Sequence, residues 1–348
     1  MTKVLLIGVM IGLAVALLAG TSSAAVSEQA IQDLYKAAKA EGEVIWQWGG
    51  TERQIAPVVK AFEAKYPGIK CSPFSFSATS IPTRVITEAA ARNLTLDVGC
   101  TMTDTLLALL KRDLLVKTDW TKTSDGDPSL ILADGAFVLI HDHPPCWVYN
   151  TKLVSKAEAP KTWEDVLDPK WKGSKISMRS LGSAFGGLFP EWRVNPQKVV
   201  GFVERLKRQE VMQGKRYSEV INRVATGECP IGIVVAAEVS DLQKKGAPLA
   251  VCSVSPTGGI PMGAFIPKGS PHPNAAKLLV SWLSSNEGRK IFTKLTDFGL
   301  AYPPEASPLA QLLTEAGIKY HRVASMEDVA DYLRFTEVVV KTMAFLPE

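Results

Sequence analysis

Hydroxyls, bare glycine amides and one arginine recur in this sequence where a strand gives way to a helix. Gly49, Gly50 and Thr51 follow the run "EVIWQW", and Thr79 and Ser80 follow "IKCSPFSF". Thr101 and Thr103 follow "LDVGC", while Arg179, Ser180 and Ser183 follow "KISM". Such groups suit the capture of an anion. A helix N-terminus exposes backbone N–H groups and the positive end of the helix dipole, worth about 0.3–1 kcal/mol to an exposed negative charge. Micromolar affinity needs about 8 kcal/mol, so several corners must converge and a charge-assisted arginine bond must join them. Arg179 is the expected anchor. Trp48, the last residue of its strand, is the expected apolar contact, and Trp46 shares its face because strand side chains alternate.

Other chemistries find less support. The sequence holds no GxSxG, HExxH, Walker loop or GxGxxG, so no enzyme is expected, and "TGGIPMG" is a weak glycine run that reads more simply as a returning hinge segment. His141 and His143 in "HDHPP" have ligand spacing on a strand, but Pro144 and Pro145 argue for a solvated turn. His272 precedes a helix and is expected to serve its start. The five cysteines form no CxxC pair and sit in apolar stretches, so buried thiols are expected, with one disulfide left open. Neither metal nor cofactor is expected. A formal net charge of +4 without a Lys/Arg run argues against nucleic acid. Arg53 and Arg84 fall inside helices, where solvated or structural roles are expected.

The elements that must position these groups follow from the patterning. With 348 residues, 46% hydrophobic and 21% charged, the chain has the length and composition of about two soluble domains. Lys3, the apolar run from Val4 to Gly20 and "TSSAA" have the form of a signal peptide over residues 1–25, cleaved after Ala25, which implies an exported, soluble protein. Beyond it, strand and helix alternate. Thr51 and Gln54 fit a capping box, and Ile55, Val58, Val59 and Phe62 follow at helical spacing. Ser80 with Pro82 opens a second helix, and Thr101 with Asp104 a third. Three consecutive strand–helix units imply right-handed crossovers and a parallel sheet, whose ligands bind at the carboxyl ends of the strands. A second α/β block begins near "CWVYNTKLV".

"LYKAAKAEGEV", "VVKAFEAKYPGIK", "YNTKLV", "TWEDVLDPKWKGSKISM", "ATGECPIGIVVA" and "PHPNAAKLLVSWLSSNEGRKIF" together resemble the extracellular solute-binding proteins of ABC importers, ferric-iron type, from about Ile31 to Phe292. The resemblance implies an α/β protein with a type II periplasmic-binding fold, two α/β lobes around a central cleft joined by hinge-strand crossovers. It divides the chain into residues 26–148 (lobe 1, first part), 149–254 (lobe 2), 255–300 (return to lobe 1) and 301–348 (a helical segment on lobe 2). Crossings are implied near "VYNTK" and "SVSPTGG", which makes Trp147 and Tyr149 hinge-strand candidates for ligand contact. One departure matters. Where ferric-binding members carry two adjacent tyrosines, this chain has Ala237-Glu238, and Glu238 alone is a poor site for a hard cation. The expected function is therefore periplasmic binding of a small organic anion, a carboxylate, phosphate or phosphonate with an aromatic body allowed. The expected partner is an ABC permease, and the expected state a monomer. Ferric-ion import, or service as a ligand-loaded adaptor for a membrane sensor, is the alternative.

Overall fold

A computed structural model describes residues 26–296, 298–323 and 325–344, so the signal-peptide segment lies outside the described residues. Helix α1 (Glu28–Glu41) leads into β1 (Glu43–Trp48), α2 (Glu52–Lys65), β2 (Lys70–Ser75), α3 (Ile81–Ala90), β3 (Gly99–Met102) and α4 (Thr103–Leu110). Then come β4 (Ile131–Leu132), β5 (Phe137–His141), β6 (Pro145–Asn150), β7 (Ile176–Arg179), α5 (Phe189–Val194), α6 (Pro196–Lys207) and β8 (Met212–Gly214). The next stretch holds α7 (Tyr217–Thr226), β9 (Ile231–Val235), α8 (Ala236–Lys244), β10 (Leu249–Val251), β11 (Thr257–Gly259) and β12 (Met262–Phe265). The chain continues through α9 (Pro273–Ser284), α10 (Asn286–Thr296), α11 (Pro308–Glu315), β13 (Tyr320–Arg322) and α12 (Met326–Met343).

The first lobe is built on the expected parallel units. β1 pairs in parallel with β2, and a parallel bridge from Trp46 to Val98 joins β1 to the start of β3. Antiparallel β12 then lies between β3 and β5, so a late strand completes an early sheet. Gln47, fully buried, locks this arrangement: its Nε2 donates to Phe76 O at 2.7 Å and its Oε1 accepts from Cys100 N–H at 2.7 Å. Buried Asp97 does the same for the return segment, accepting from Ile45 N–H (2.7 Å), Ser270 Oγ (2.6 Å) and His272 N–H (2.7 Å), with His272 Nδ1 at 2.8 Å. His272 thus stands at the N-cap of α9 and is held there by Asp97. On α2, Gln54 Oε1 accepts from Thr51 N–H at 2.7 Å, and Ile55, Val58, Val59 and Phe62 all face the core. Each such side chain contributes about 1.5–3 kcal/mol on burial.

The second lobe carries a five-stranded sheet in the order β10-β6-β9-β7-β8, with β6 antiparallel to β9 and β7 parallel to both β9 and β8. Its core gathers Trp147, Trp163, Phe185, Phe189 and Ile233 with Tyr332 and Phe335 of α12. The chain passes between the lobes at residues 142–144, again at 260–261, and a third time near 298–303. The first passage precedes the one expected near "VYNTK", because Pro144-Pro145 does not turn the chain. Pro145 instead opens β6, and that strand lies wholly in the second sheet. "HDHPP" is accordingly no solvated turn: His141 ends β5 with 1% of its surface exposed.

One carboxylate ties the passages together. Asp142 accepts from Arg322 Nε (2.8 Å) and Nη2 (2.6 Å), from Tyr320 OH (3.0 Å) and from Ala301 N–H (2.8 Å). Its own N–H donates to Gly299 O at 3.0 Å. Tyr320 and Arg322 belong to β13, which pairs with β11 just before the second passage. All five cysteines are free and buried, so the disulfide left open is absent.

Candidate functional site

Two cavities lie between the lobes. The larger, about 620 Å³, is walled by Thr79, Met102 and Asp104 from the first lobe and by Arg179, Ser183 and Tyr217 from the second. His143 and Ile260 of the passages and one face of α12 complete it. The smaller, about 400 Å³, is lined by Thr51, Arg53 and Gln54 opposite Asn222, Glu238 and Lys245.

Arg179 owes its place to strand pairing. As the last residue of β7 it sits opposite Gly214 of β8, so its side chain leaves the sheet at the cleft edge. Its Nε donates to Lys215 O at 3.0 Å, and its guanidinium lies 5.3 Å from the ring centre of Tyr217. That packing orients the guanidinium and lets the flat ring extend the site's apolar surface. Ser180 N–H donates to Gly214 O (3.2 Å) and its Oγ to Gln213 Oε1 (2.9 Å), which fixes the turn leaving the strand. Gly182 follows where no side chain fits: a Cβ there would come within 2.6 Å of Thr336 O and 2.7 Å of Thr336 Cβ. Glycine thereby lets α12 approach and form one wall.

Burial sets the charges inside the cleft. It pushes the His143 imidazole down to about 3, helped by His141 and Arg179, so His143 is neutral near pH 7 and offers no competing cation. Burial likewise pushes the Glu238 carboxyl up to about 7, with Arg179 opposing the rise. Asp104 is also raised above the usual carboxylate range by burial, despite accepting from Thr105 N–H at 2.6 Å. His141 is held down to about 4 by burial among Trp48, Phe292 and Phe298.

Of the residues singled out from sequence, Thr51, Thr79, Arg179, Ser180, Ser183 and Glu238 line these cavities. Gly49, Gly50 and Ser80 stand beside them at the same corners, partly or fully exposed. A Cβ on Gly50 would meet Gln54 Oε1 at 2.2 Å and Trp48 Nε1 at 2.8 Å, so a side chain there would displace Gln54, the acceptor of the Thr51 N–H bond at this corner. Five residues are elsewhere. Trp48 is 2% exposed, stacked edgewise on Phe292 and Phe298, because α10 covers that face of β1. Trp147 is also 2% exposed and packs on Trp163, and Tyr149 is buried in the same core. Thr101 turns inward, donating to Ala78 O at 2.6 Å, and Thr103 is buried within the first turn of α4. The box expected from Thr101 and Asp104 does not form, since α4 begins at Thr103 with Met102 as its N-cap. Met102, Asp104, His143, Tyr217 and the α12 face were missed. Asp104 carries a signal in the sequence, an acid at a strand–helix corner, where local pattern alone points to a cap.

Comparison with known proteins places this geometry. The family of bacterial extracellular solute-binding proteins matches residues 48–290. An uncharacterized protein of Haemophilus influenzae is 30% identical over 155 residues, 42% of this chain and 45% of that protein. The chain thus spans about half the length of that relative. Iron-bound HitA from Pseudomonas aeruginosa superposes with a TM-score of 0.70 at 18% identity, covering 86% of this chain and 99% of that one. The substrate-binding protein of an ABC transporter from Agrobacterium tumefaciens gives 0.72 at 14% identity, covering 88% and 94%. PotD from Streptococcus pneumoniae, a spermidine/putrescine substrate-binding protein, gives 0.64 at 16% identity, covering 86% and 99%.

Proposed function

The chain belongs to the bacterial extracellular solute-binding proteins, and from that premise we propose that it captures a small organic anion between its lobes and delivers it to an ABC importer. One observation carries the ligand class: the Arg179 guanidinium stands on the cleft wall, stacked on Tyr217, in a cavity shared with Ser180, Ser183 and neutral His143. A charge-assisted bond in such a partly dry site contributes about 1.5–3 kcal/mol. Hydroxyls and apolar burial against Met102, Leu181 and Ile260 supply the rest of the roughly 8 kcal/mol that micromolar affinity needs. Lobe 1 and lobe 2 each hold part of this set, so ligand favours the arrangement that brings both walls against it.

Ferric ion is the weaker reading. Glu238 supplies a single carboxylate beside Ala237, and the groups near it are Arg53, Asn222 and Lys245, which suit an anion rather than a hard cation. The discriminating experiment is a thermal-shift screen of the purified protein against organic acids, phosphonates, phosphate and ferric citrate. A ligand at 100 times its Kd adds about 2.7 kcal/mol to the native state. An organic acid or phosphonate that raises Tm, with a smaller radius of gyration at saturation, supports the reading. A shift from iron alone, or a constant radius, overturns it.

A further inference from the structure

We propose that the ligand carries an amine as well as its acid, and that Asp104 is the specificity-determining residue that reads it. This rests on the reading of the cleft as an organic-anion site at Arg179.

Asp104 and Arg179 enter the larger cavity from opposite lobes, one from the first turn of α4 and the other from the end of β7. Arg179 is itself held by the Lys215 carbonyl and the Tyr217 ring, and the remaining ionisable groups of the cavity are paired or neutral. Arg334 pairs with Asp331 at 3.2 Å, Glu337 pairs with Lys341 at 2.7 Å, and His143 is neutral. Asp104 differs from them. Its carboxylate accepts from backbone N–H groups alone, those of Thr105 and of Asp104 itself, and among the described residues no lysine, arginine or histidine pairs with it. A half-buried carboxylate without a cation is costly to keep. A purely anionic ligand would add a second negative charge to that wall, whereas an ammonium group would neutralise it and take up the lone pairs left over. The two walls therefore present opposite charges to one solute, an acceptor from lobe 1 and a donor from lobe 2. Met102, Leu181 and Ile260 supply apolar surface in the same cavity. An amino-carboxylate or amino-phosphonate has that arrangement, and a plain carboxylate lacks half of it.

The test is calorimetric titration of the full-length purified chain with matched acids: linear carboxylates with and without a terminal amine, and phenylalanine against 3-phenylpropanoate. In the wild-type protein the amino member of at least one pair should bind about tenfold tighter or more. Asp104→Asn should erase that advantage, so that the two members of a pair bind within about twofold of each other, and Arg179→Gln should weaken both members. Equal binding of both members, with Arg179→Gln still weakening them, overturns the amine and leaves the anion site standing. If no member of any pair binds, both readings fall. The wild-type comparison needs no variant, so the outcome stands even where Asp104→Asn folds poorly.

Discussion

Asp142→Ala should be among the most destabilising single changes in the molecule. The carboxylate is fully buried and accepts four hydrogen bonds, two of them from the Arg322 guanidinium at 2.8 and 2.6 Å. Its removal strands Arg322, whose side chain is 21% exposed, against Tyr320 and the passage backbone. Breaking one member of a buried ion pair costs about 3–5 kcal/mol, and the partial exposure of Arg322 places this case near the lower end. About 3 kcal/mol corresponds to a loss of about 6 °C in Tm for a protein of this size class. The assay is guanidinium unfolding of Asp142→Ala, Arg322→Met and the double variant. Because the penalty arises from a stranded charge, the double variant should lose about 1–3 kcal/mol less than the sum of the single ones. Additive losses, or an Asp142→Ala protein within about 0.5 kcal/mol of wild type, would refute the assignment of Asp142 as the tie between the passages.

Three further outcomes follow from the site and the core. Arg179→Ala should weaken ligand binding by about 1.5–3 kcal/mol in titration, whereas Trp48→Ala, a core deletion, should instead lower stability by about 3–5 kcal/mol in unfolding. Glu238 holds its proton up to about 7 in the folded protein against 4.5 ordinarily, so between those values the native state binds more protons than the unfolded chain. Stability should therefore fall as pH rises from about 4.5 to about 7, by at most about 3 kcal/mol, and Glu238→Gln should flatten that slope in a pH series of unfolding curves. Gly186→Ala would place a Cβ 2.0 Å from Gly258 O, so circular dichroism melts should show a loss of about 1–3 kcal/mol or more.

The sequence made the corners legible and left their surroundings hidden. Strand–helix boundaries depend on local chemistry, so Thr51 with Gln54 and the strand "KISM" before Arg179 could be read from neighbouring residues alone. The facing of a side chain depends on what covers it. Trp48 reads as a rim residue until α10 brings Phe292 onto the same face, and Trp147 reads as a hinge residue until Trp163 closes over it. "HDHPP" misled for a related reason. Proline excludes a central ladder position but is at home at a strand's first residue, where Pro145 sits. The α12 wall lay beyond any local reading, because Gly182 and Thr336 meet only in the folded chain.

The position of β12 between β3 and β5 also bears on how the protein is made. A nascent chain ending before residue 262 leaves both neighbours with open edges, and it lacks α9, whose residues are almost all buried in that lobe. The second lobe waits longer still, for Tyr332 and Phe335 to reach the ribosome's exit. Neither half can finish folding as it emerges, since its closing contacts are distant in sequence and slow to form. Both lobes must then mature nearly together and late, which leaves an interval in which the chain is extended enough to be handled by chaperones or threaded through a narrow pore.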